Sequence, residues 1–72
     1  MKTKLTYDEF VERVGKYHVV MTKWRYGQTY FSVLSSVKPA LAELIRSTIY
    51  DPFHKEEIPK ETEKLLRDKW DA

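Results

Sequence analysis

Residues 26–37 form a run of twelve without a single charge, in a chain where 33% of residues are charged. Wound as a helix at about 100° per residue, the run and its flank sort into sides. Trp24, Gly27, Phe31 and Leu34 fall on one side, and Tyr26, Tyr30, Val33 and Val37 on the adjoining one. Arg25, Thr29, Ser32 and Ser36 form a narrow polar wedge. The apolar arc spans roughly half the circumference, against ~100° for an ordinary surface helix. Such a helix is the centre of a fold, a surface for another molecule, or both. It is expected over about 22–37, with Thr22 as its N-cap. Gly27 inside it costs about 1 kcal/mol relative to alanine unless a neighbouring backbone approaches closely there.

The flanking pattern predicts three more helices. Thr6-Tyr7-Asp8-Glu9 is a capping box, with Leu5 and Phe10 at the staple positions. Tyr7, Phe10, Val11 and Val14 then share a face, and Gly15 is the expected stop, giving a helix over about 6–15. Residues 16–21 are β-prone but have no second strand to pair with, so an extended connector is expected. Pro39 opens a helix over about 39–49, with Leu41, Leu44, Ile45 and Thr48 on its stripe. Asp51-Pro52-Phe53 reads as a corner. A last helix runs over about 59–70, with Ile58, Thr62, Leu65, Leu66 and Trp70 on one face. All three prolines sit at element starts. The fold class is therefore all-α: a compact single domain of four short helices, with helix two central.

Length sharpens this reading. A chain of 72 residues has room for one core, and a core that small supplies only about 3–5 kcal/mol. There is no cysteine, so disulfides and thiolate metal sites are excluded. Ten aromatic residues supply large buried areas in their place. No run of apolar residues is long enough for a membrane span. Charges at Asp8, Glu9, Glu12 and Arg13 interrupt any signal-peptide core, so an intact, unprocessed cytosolic product is expected. Net charge is +2, split as +4 over residues 1–38 and −2 over residues 39–72. That total is too small to argue for nucleic acid.

Catalytic chemistry finds little purchase. There is no Gly-x-Ser-x-Gly elbow, and Ser32, Ser35 and Ser36 lie on a helix, where hydroxyls commonly bond the preceding turn. Gly15 and Gly27 are too isolated for a phosphate loop. His54 and Glu57 make one His-x-x-Glu beside Asp51, whereas a di-metal bundle site needs paired copies and further carboxylates. No enzyme, cofactor or metal site is expected. Lys16, Tyr17, His18, Lys23, Trp24, Arg25 and Tyr26 interleave cations with rings, as single-strand stacking platforms do.

At Arg25-Tyr26-Gly27-Gln28-Thr29-Tyr30-Phe31, then Leu34, Pro39, Leu41-Ala42, Ile45-Arg46, Thr48 and Asp51-Pro52-Phe53, the chain resembles a set of small bacteriophage and bacterial proteins. These share an Arg-x-Gly-Gln-x-x-Phe helix, a proline-led helix and an Asp-Pro-Phe turn. The resemblance covers about residues 22–70. It implies a phage or mobile-element setting and the cytoplasm of a bacterial host, and brings no assigned activity or catalytic residue. At the shared positions Gly27 would permit close helix contact, and Phe31 and Leu34 would fill the core. Asp51-Pro52-Phe53 would lock a corner, with Gln28 bonding helix ends or that corner.

The function expected is non-enzymatic: a small phage-type accessory protein that binds a host or phage protein, in a form suited to inhibiting a host enzyme or defence complex. Trp24, Arg25, Tyr26, Tyr30 and Phe53 are the expected contact residues, since Trp, Tyr and Arg dominate interface energetics. The alternative is nucleic-acid binding through Lys16, Tyr17, Lys23 and Arg25. A third reading is a homodimer that buries helix two against its symmetry mate.

Overall fold

The computed structural model describes residues 5–21 and 23–70. Four helices occur in order: α1 Tyr7–Val20, α2 Tyr26–Val37, α3 Pro39–Ile45 and α4 Lys60–Lys69. Among the described residues the fold is all-α, and α2 packs against both α1 and α3. One cluster of buried side chains joins the elements, with Phe10 and Val14 of α1, Tyr30 and Leu34 of α2, Ile45 of α3, Leu66 of α4, and Trp70.

The start of α1 arises from its own sequence. Thr6 Oγ1 accepts from the Glu9 N–H at 3.1 Å, and Glu9 Oε1 accepts from the Thr6 N–H at 2.9 Å. The expected stop at Gly15 does not occur. No glycine among the described residues has positive φ, so Gly15 adopts ordinary helical geometry and α1 runs on to Val20. The segment expected as an extended connector is thus helical. β-propensity needs a pleated neighbour, which is lacking, whereas helix continuation pairs each backbone group.

Helix α2 begins at Tyr26, four residues later than expected, and its N-cap Arg25 makes no side-chain cap bond. The expected cap, Thr22, lies outside the described residues. The start is instead capped from elsewhere in the chain: the Gly27 N–H donates to the Lys55 carbonyl at 3.0 Å. This accounts for glycine at position 27. A methyl group there would overlap the Pro52 carbonyl oxygen and lie 2.5 Å from that of Lys55. The close neighbour is a loop, not a helix.

Helix α3 ends at Ile45, short of the expected 49. Ser47 takes a left-handed φ of 61°, and its N–H donates to Asp51 Oδ2 at 2.8 Å. The Phe53 N–H donates to Asp51 Oδ1 at 3.0 Å. One carboxylate thereby organises the whole corner, with Pro52 buried inside it. Both its oxygens accept from the corner's own backbone, so it is closed locally and not by Gln28, which is half-buried. Thr62 Oγ1 donates to the Tyr50 carbonyl at 2.7 Å, tying the corner to α4. Pro59 caps α4, as proline suits a helix start. At its far end Trp70 Nε1 donates to the Leu5 carbonyl at 2.6 Å, joining the two ends of the described chain.

Candidate protein-binding groove

The extension of α1 past Gly15 creates an apolar concave surface against α2. Arg13, Tyr17 and Met21 succeed one another at i, i+4 and i+8, so they line one edge of the helix. Val33 and Val37 of α2 and Trp24 of the connector share the lining with them. The groove between them has a volume of about 250 Å³. The hydroxyl wedge of α2 contributes Thr29, Ser32 and Ser36 to the lining, all with small side chains. Tyr17 remains 52% exposed, and Val20 of the same turn 75%.

The connector that shapes the groove is held by polar and aromatic contacts. His18 Nε2 donates to the Trp24 carbonyl at 3.3 Å, and the Trp24 N–H donates to the Met21 carbonyl at 3.0 Å. The His18 ring also stands edge-on to Tyr26, 5.3 Å between centroids. His18 thus clamps the end of α1 to the start of α2.

The expected contact residues separate. Trp24 is half-buried and lines the groove. Arg25 is exposed, but its Nε lies 3.1 Å from Glu56 Oε2, away from the groove lining. Tyr26 is half-buried between His18 and Tyr30, and burial pushes its phenol up. Tyr30 is a correction: it is only 1% exposed and belongs to the core. Its hydroxyl lies 2.7 Å from that of Tyr7, and its ring sits edge-on to Phe10 at 4.9 Å. Burial, with the Tyr7 hydrogen bond, pushes its phenol far up. On the Tyr26, Tyr30, Val33 and Val37 side of α2, Tyr30 and Val33 are thus buried, while Tyr26 and Val37 are half-buried.

Phe53 is half-buried and edge-on to Phe31, 6.0 Å away, at a second cleft of about 510 Å³. That cleft brings Ser32, Ser35, Asp51 and His54 together, residue types that recur in nucleophilic triads. Asp51 holds the backbone of Ser47 and Phe53, while the His54 ring packs against Phe53 at 5.1 Å. Among the described residues no three His, Asp or Glu side chains are grouped as a metal site requires.

Of the nucleic-acid alternative, Lys16, Tyr17, Lys23 and Arg25 are all exposed. Only Tyr17 among them reaches the groove lining. Sequence reasoning missed Arg13 and Met21. The signal was present in the i, i+4, i+8 spacing with Tyr17, hidden by treating Gly15 as a helix stop.

The fold and groove define a small helical protein with an apolar surface cleft. No family model matches the chain, and no curated protein or solved structure matches it either. No described helix is long and apolar enough to cross a membrane.

Proposed function

We propose that this chain is a non-enzymatic accessory protein that works by occupying the surface of another protein. The observation that carries the reading is the apolar groove between α1 and α2, with Tyr17 and Met21 of its lining left exposed. Exposed aromatic and aliphatic side chains around a concavity are the usual mark of a protein contact. At about 250 Å³ the groove is smaller than the ~300–1,000 Å³ of small-molecule sites, and suits one or two anchor side chains. A phage-type role, inhibiting a host enzyme or defence complex, fits a small domain that offers an apolar groove. It rests on the resemblance of the Arg25–Phe31 and Asp51–Phe53 motifs.

Affinity capture from bacterial lysate tests it. Tyr17→Ala and Trp24→Ala, each retaining its helical circular dichroism, lose the protein captured by the parent chain. Equal capture by folded variants overturns the reading.

Nucleic-acid binding through Lys16, Tyr17, Lys23 and Arg25 is the second reading, favoured by the exposure of all four. It requires affinity that falls steeply between about 50 and about 200 mM salt. Absence of a band shift at the lower salt with single- and double-stranded DNA removes it.

A further inference from the structure

The groove lies within a stretch of unusual charge. Between Glu12 and Glu43 there is no aspartate or glutamate, while Arg13, Lys16, Lys23, Arg25 and Lys38 all fall there. All of the groove lining comes from this stretch. Two of the five cations are committed elsewhere: Arg25 to Glu56, and Lys38 to the Trp70 carbonyl at 2.9 Å. Among the described residues no ion pair engages Arg13, Lys16 or Lys23. Arg13 is itself part of the lining.

The shape narrows the occupant further. Both walls are helices, and from Arg13 to the last helical residue, Val20, the α1 wall is about 10 Å long, about two turns at about 1.5 Å per residue. The small hydroxyl residues of the lining let a third backbone approach. No strand occurs among the described residues, so an incoming peptide has no sheet edge to extend. A helix laid between two helices, with large apolar anchors pointing at Val33, Val37 and Met21, matches this geometry.

We infer that the α1–α2 groove receives an amphipathic helix of a partner protein, one whose apolar face is flanked by aspartates or glutamates facing Arg13 and its neighbouring lysines. This rests on the protein-binding reading of the groove and adds the chemistry of the partner. Glu9 and Glu12 lie one turn before Arg13 and Lys16 on α1, but neither pairs with them among the described residues, so acidic flanks on the partner supply charge complementarity to Arg13, Lys16 and Lys23, and a basic helix is rejected there.

The test uses two labelled synthetic helical peptides of about 18 residues, with the same leucine and phenylalanine face, one flanked by glutamates and one by lysines. Fluorescence anisotropy with the whole chain should show the glutamate peptide binding at least about tenfold more tightly. That preference should shrink as salt rises from about 50 to about 500 mM. It should fall with Arg13→Glu and with Lys16→Glu, both exposed positions where circular dichroism verifies the fold. Equal binding of the two peptides overturns the inference, as does displacement of the glutamate peptide by oligothymidylate at stoichiometric concentration. If neither peptide binds, the inference fails. Lysate capture then decides the parent reading separately: it stands if Trp24→Ala still abolishes capture, and falls if Trp24→Ala captures the same protein as before.

Discussion

The phenolic oxygens of Tyr7 and Tyr30 lie 2.7 Å apart within the core, linking the first turn of α1 to the middle of α2. Trp70 packs edge-on against Tyr7 at 5.5 Å, so the pair also sits against the end of α4. This bond explains how two large polar rings are buried in so small a domain. Among the described residues no buried side-chain nitrogen or oxygen lacks a partner.

Removing one partner should show this. Tyr30→Phe is expected to lower stability by about 1–2 kcal/mol, because the Tyr7 hydroxyl is left buried without a partner. Tyr7→Phe should cost a similar amount. The double variant should cost less than the two together, and a urea-denaturation cycle on the four chains measures that coupling. Strict additivity would show the bond contributes nothing.

The same pair predicts alkaline sensitivity. Tyr7, Tyr26 and Tyr30 are all raised from the ordinary value of 10.0, chiefly by burial. Above that value the unfolded chain releases phenolic protons that the folded chain retains, so the unfolded state binds fewer protons and stability falls as pH rises. Stability should be unaffected by these groups below pH about 10 and decline above it. Urea midpoints taken with tyrosinate absorbance check this. Removing the most strongly raised phenol with Tyr30→Phe should make the decline shallower.

The two glycines should respond in opposite directions. Gly27→Ala drives a methyl group into the carbonyls of Pro52 and Lys55, and is expected to cost about 3 kcal/mol or more. Gly27→Leu should prevent folding. At Gly15 an added methyl group meets nothing within 4 Å, and the backbone is helical. Gly15→Ala should therefore stabilise by about 0.5–1 kcal/mol. Thermal melts of both alanine variants suffice, and a neutral Gly27→Ala would contradict the close approach.

Trp70 joins the two ends of the described chain through its Nε1–H bond to Leu5, with Lys38 Nζ 5.2 Å from its ring centroid. Trp70→Phe keeps an aromatic ring but leaves the Leu5 carbonyl unpaired and the site underfilled. A loss of about 2 kcal/mol is expected, together with faster amide exchange at the start of α1. Unchanged exchange there would mean the two ends are not coupled.

Much of the architecture was legible because its signals are local. The Thr6 capping box and the prolines at 39 and 59 each act within one turn, and α1, α3 and α4 start where those signals place them. Gly15 misled because glycine stops a helix only when it takes positive φ, and the packing of the next turn determines whether it does. Here His18 meets the Trp24 carbonyl and the Tyr26 ring, and the Met21 carbonyl accepts from the Trp24 N–H, so the helix continues. Tyr30 misled for a related reason. Periodicity placed it beside Tyr26 on one side of α2 but could not show that α1 covers Tyr30 more completely than Tyr26.

The two motif pieces, Arg25-Tyr26-Gly27 and Asp51-Pro52-Phe53, illustrate the division. Each was conspicuous in the sequence, yet only folding shows that the second packs over the first at Gly27, while Lys55 caps α2 from the same loop. By itself the sequence determined a chain of helices, most of their starts and a central uncharged segment, because hydrophobic period and capping chemistry operate over a few residues. The tertiary structure decided where α1 and α3 end, where α2 begins, which rings are core, and that a groove lies between α1 and α2. Those outcomes depend on contacts between residues far apart in the chain, such as Gly27 with Lys55 and Trp70 with Leu5, whose geometry no local pattern encodes.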